Sequence, residues 1–67
     1  MSIAKVIEIL AEGETIEEAF ENAVAEASQT VDSIQSVWMK DIQAKVEDEE
    51  IQFYRVTAKV TFAINKS

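Results

Sequence analysis

Between Ile51 and Asn65 the chain reads IQFYRVTAKVTFAIN, and its apolar and polar positions alternate. Tyr54, Val56, Ala58, Val60, Phe62 and Ile64 fall on one side, Arg55, Thr57, Lys59 and Thr61 on the other. A period of two predicts a strand with one buried face. Residues 35–47 read as a second strand, but the apolar parity changes from Val37 and Met39 to Ile42, Ala44 and Val46. That change predicts a bulge or sharp bend near Lys40 and Asp41. The acidic run Glu47-Asp48-Glu49-Glu50 between these strands reads as a hairpin turn. Residues 3–11, IAKVIEILA, are short and rich in β-branched side chains, which predicts a third strand ended by Gly13.

The remaining segment has a different period. Thr15-Ile16-Glu17-Glu18 is a capping box, in which the Thr15 hydroxyl accepts from the Glu18 amide while the Glu18 carboxylate reaches back to the Thr15 amide. Beyond it Ile16, Ala19, Phe20, Ala23, Val24, Ala27, Val31 and Ile34 recur at three- and four-residue steps, one apolar stripe of a helix. Glu14, Glu17, Glu18 and Glu21 crowd the helix start, where the macrodipole favours negative charge, so they read as a solvated face rather than a metal cluster.

The element order is therefore β-α-β-β, an α+β fold. A right-handed crossover makes the first two strands parallel, and insertion of the last strand between them makes every neighbouring pair antiparallel. The helix covers one face of this three-stranded antiparallel sheet. The other face is expected to carry Ser36, Trp38, Arg55, Thr57 and Lys59, with nothing in one protomer to cover it. Another subunit or a ligand belongs there.

Size sharpens that expectation. Sixty-seven residues make a single domain, 1–67, whose stability as a monomer is marginal. There is no cysteine for a disulfide, and no cysteine or histidine for a zinc site, so oligomerisation is the reinforcement that remains. The net charge of −7 repels phosphate backbones and anionic lipid, which argues against nucleic-acid and membrane partners, and it attracts cations. The acidic turn lacks the glycine-containing spacing of a calcium loop. Without cysteine there is no thiol nucleophile, without histidine the commonest general base is gone and no motif gives the serines a base, and one glycine cannot build a phosphate loop, so an enzyme is not expected. The first ten residues carry an interrupting Glu8 and no cleavage site, a poor signal peptide, and the expected location is the cytoplasm.

Trp38 stands out because it lies on the polar side of its strand, between Ser36 and Lys40, whereas Phe20 and Phe62 lie on apolar stripes. A flat amphipathic ring there suits an oligomer interface or an aromatic ligand. The whole chain resembles the dodecins, small β-α-β-β proteins that assemble into hollow homododecamers and bind flavins. The similarity runs through Lys5-Val6-Ile7-Glu8, the capped helix, Gln29-Thr30-Val31-Asp32-Ser33-Ile34, Met39-Lys40-Asp41-Ile42, and Tyr54 through Phe62. The resemblance implies a flavin-binding or storage protein, with FMN or riboflavin as ligand and other copies of itself as partners. Flavin-binding dodecins carry a tryptophan at the position of Ser36 and a glutamine at that of Arg55. Here the tryptophan comes two residues later, a displacement of roughly 6 to 7 Å along a strand. That shift favours an interface role for Trp38, with Ser36, Trp38 and Arg55 as the candidate ligand residues. The alternatives are a flavin-free shell associated with calcium or magnesium, and a purely structural oligomer.

Overall fold

A computed structural model describes residues 2–65 and shows the order expected: β1 (Ser2–Gly13), α1 (Ile16–Ser28), β2 (Ile34–Glu47) and β3 (Glu50–Asn65). The strands form one antiparallel sheet in the order β1-β3-β2, so the last strand does insert between the other two.

The helix begins where the capping box lies. Thr15 is extended and its hydroxyl accepts from the Glu18 amide at 3.0 Å. The reciprocal bond differs from expectation by one residue: the Glu14 amide, not that of Thr15, donates to Glu18 Oε1 at 3.3 Å. The helix also ends earlier than the apolar stripe suggests. The Ala27 carbonyl accepts from the amides of Thr30 and Val31, both at 3.0 Å, and from the Thr30 hydroxyl at 3.3 Å, which closes the last turn. Ser33 then turns through the left-handed region at φ 58°, and Ile34 opens β2. Val31 and Ile34 therefore belong to the exit loop and the second strand, not to the helix face.

The innermost helix positions are its small ones. Ala19, Ala23 and Ala27 recur every four residues with no exposed surface, while Ile16 lies at the margin and stays exposed. Alanines let the helix backbone settle closely on the central strand, where Val56, Ala58 and Val60 are equally buried. Ile9, Val37 and Met39 pack against the cluster formed by Ala11, Ala19, Ala23, Val56 and Ala58. Among the described residues no polar or charged side chain is buried. Gly13 is required by the same closeness: a methyl group there would lie 2.5 Å from the Ala19 backbone nitrogen.

Register irregularities fall between Met39 and Asp41, as the change of parity predicted, and also between Ile34 and Ser36 and between Lys45 and Val46. The hairpin turn is tight, with Glu47 paired to Glu50 and both central residues in the left-handed region, Asp48 at φ 53° and Glu49 at φ 64°. Two positive φ values give the type I′ geometry whose twist matches the flanking strands. Since β1 pairs no further than Gly13 with Tyr54, the end of the β2–β3 hairpin runs on as a two-stranded arm. The molecule is accordingly long, 54 × 18 × 14 Å. Among the described residues no helix is long and apolar enough to cross a membrane.

Candidate functional site

The sheet face turned away from the helix is organised by strand register into rows. Val6, Thr61 and Ser36 form one row; Glu8, Lys59 and Trp38 the next; then Leu10, Thr57 and Asp41; then Glu12, Arg55 and Gln43. The bulge at Lys40 makes this possible, because without the extra residue Trp38 and Asp41 would point to opposite faces.

Trp38 is 64% exposed. Lys59, opposite it on β3, places its ammonium 5.5 Å from the centre of the indole, within cation–π range. Glu8 faces Lys59 from β1, yet its Oε1 lies 3.4 Å from Lys40 Nζ. Arg55 is engaged elsewhere: Nη2 lies 2.8 Å from Glu12 Oε2, and Nε donates to the same oxygen at 2.9 Å. Lys40 and Arg55 are thus held by carboxylates of β1, while Lys45, on the same face, lies out on the two-stranded arm opposite Phe53. Lys59 makes no ion pair among the described residues.

Ser36, Trp38 and Arg55, the residues singled out in the sequence, share this face but do not converge. Ser36 lies one row from Trp38, while Arg55 lies four residues along β3 from Lys59, roughly 13 Å away. Glu8, Glu12 and Lys40 had no signal in the sequence beyond their charge, since their partners depend on register. Lys59 was legible as an outer-face residue, though not as the partner of Trp38. An open recess of about 410 Å³ lies away from the Trp38–Lys59 row, between the helix exit at Thr30, Asp32 and Ser33 and the end of β3 at Phe62 and Ile64. Among the described residues no three acidic side chains converge to hold a metal ion.

The family model for dodecins matches residues 3–65. The chain belongs to the dodecin family. Solved structures agree on the fold. A Thermus thermophilus protein superposes with a TM-score of 0.91 at 22% identity over 100% of both chains. The dodecin of Streptomyces davaonensis does so at 0.88 and 23% over 97% of both, and that of Streptomyces coelicolor at 0.88 and 24% over 98% of this chain and 96% of its own. No curated protein matches the sequence. Within the dodecin fold, then, this chain presents an exposed tryptophan with a lysine over its ring and an arginine tied to a neighbouring glutamate.

Proposed function

We propose that this dodecin is a self-assembling, non-catalytic carrier of a flavin-class ligand, held on the outer sheet face with Trp38 as the stacking surface. The observation that carries the reading is the setting of Trp38. It is 64% exposed, and its row holds Lys59 and Glu8, with Lys40 beside them. Lysine and glutamate are depleted in the dry centres of protein interfaces, whereas a partly wet ring flanked by charges suits a small planar ligand with polar edges.

The residues present fit such a group in part. The open part of the indole offers an apolar platform for a planar ring, which when bound supplies the redox and light-absorbing chemistry of a flavin. Lys59 supplies a cation beside it. Ser36 offers no aromatic surface at the position where flavin-binding dodecins place their tryptophan. Arg55 can only donate hydrogen bonds, and two of its N–H groups are already given to Glu12. The fit is to one ring on Trp38, not to the paired stack of the flavin-binding members. The assembly proposed is a homododecamer, about 90 kDa from twelve chains of 7.5 kDa.

Fluorescence titration tests the reading. Riboflavin or FMN added to the purified assembly should quench the single tryptophan and be quenched in turn, and Trp38→Ala should abolish binding while light scattering still reports about 90 kDa. If Trp38→Ala instead breaks the assembly, and the unmodified protein binds no flavin, the tryptophan is an interface anchor and the reading fails.

A further inference from the structure

The geometry points to Lys59 as the residue that selects the ligand's charge, so that this site takes a planar ring bearing an anionic group in preference to the neutral ring compound. The inference rests on the reading of the outer face as a flavin-class site and deepens it.

Four cations stand on that face, Lys40, Lys45, Arg55 and Lys59; Lys45 lies out on the two-stranded arm opposite Phe53, and the other three each have a carboxylate of β1 within reach. Arg55 takes Glu12 through two contacts to one oxygen. Lys40 takes Glu8. Lys59 faces Glu8 across β1 but lies over the indole of Trp38 at 5.5 Å. A ring quadrupole attracts a cation without cancelling its charge, whereas a carboxylate cancels it. Of the three cations over the three-stranded part of the sheet, the one without an ion pair is therefore the one at the stacking surface. Lys59 also covers part of one side of the ring, consistent with a single ligand ring on each tryptophan.

The chain as a whole carries −7 and repels anions at long range. A preference for an anionic ligand would run against that field and so needs a local group that favours the anion, which a cation at the site supplies. Among Lys40, Arg55 and Lys59, only the last is both at the ring and unpaired among the described residues.

The experiment compares FMN with riboflavin, which share the ring and differ by the phosphate, using quenching of Trp38 in the assembled protein. At low salt FMN should bind about five- to tenfold more tightly, the size of one charge-assisted contact at a partly exposed site. Raising the salt to about 0.5 M should shrink the preference, since the Debye length falls well below 10 Å. Lys59→Gln should bring the two ligands to within about twofold of each other, and Lys59→Arg should keep the preference. Equal binding of both flavins by the unmodified protein, or a preference that survives Lys59→Gln in an intact assembly, overturns the role of Lys59 and leaves the flavin-class reading standing. Quenching by neither ligand overturns both.

Discussion

One face of the sheet is completed within the chain and the other is not. On the helix side, Val56, Ala58 and Val60 of the central strand have no exposed surface, and neither have Ala19, Ala23 and Ala27 of the helix. On the opposite side, Leu10 is 69% exposed and Trp38 64%, and charges alternate with them across the strands. The same three strands build both faces, since successive residues of a strand point in opposite directions. The contrast is one of size as well as polarity. The helix face works by using alanine and glycine, which bring backbones together, whereas the outer face displays long side chains that need something to pack against. A chain with one finished face has little reserve of stability, and anything that bound the other face in the native state alone would add to it.

The comparison breaks most severely at Gly13. A Cβ there would meet the Ala19 nitrogen at 2.5 Å and the Glu18 carbonyl carbon at 2.9 Å, both backbone atoms at the first turn of the helix. Neither can move aside as a side-chain tip would. Gly13→Ala should therefore lift the helix start from the sheet and cost on the order of 3 kcal/mol, read as a lower midpoint in urea. Ala23→Leu, which puts a large side chain at a helix position with no exposed surface, should have a comparable effect. Wild-type stability in Gly13→Ala would show that the helix does not sit as closely as described.

A smaller break comes at the helix cap. Thr15→Ala removes the acceptor for the Glu18 amide and should destabilise by about 1 kcal/mol. Thr15→Ser, which keeps the oxygen, should recover most of it, and failure of that rescue would place the loss in the methyl group instead.

Which parts of this were legible in the sequence follows from what each part depends on. The capping box needs only a few consecutive residues, so the helix start could be read directly. The change of parity between Met39 and Ile42 is also local, and the bulge stands where it predicts. The helix end is not legible in the spacing, because Val31 and Ile34 continue the stripe. Nothing in a periodicity records that the Ala27 carbonyl is already satisfied by Thr30 and Val31. The outer-face pairs were illegible for a different reason. Glu8 with Lys40 and Glu12 with Arg55 are separated by 32 and 43 residues, and a register shift of one would send each partner to the other face. Trp38 was conspicuous by its position, yet the cation over its ring depends on that same long-range register.

The mildest perturbation sharpens the contrast on the outer face. The Arg55–Glu12 pair has short contacts, 2.8 and 2.9 Å, but its side chains are 37% and 51% exposed. Water screens the attraction, and holding two long side chains together costs entropy, so the pair should contribute less than about 1 kcal/mol. A double-mutant cycle with Arg55→Ala and Glu12→Ala should return a coupling of about 0.5 kcal/mol at low salt, falling toward zero near 1 M salt. Against the loss at Gly13, this would show that the chain's own stability resides in the helix face, leaving the outer face free to serve assembly and ligand. A coupling above about 2 kcal/mol that resists salt would mean that the pair is desolvated. Since both side chains are exposed within one protomer, that desolvation could come only from a neighbouring subunit covering the rows around Arg55.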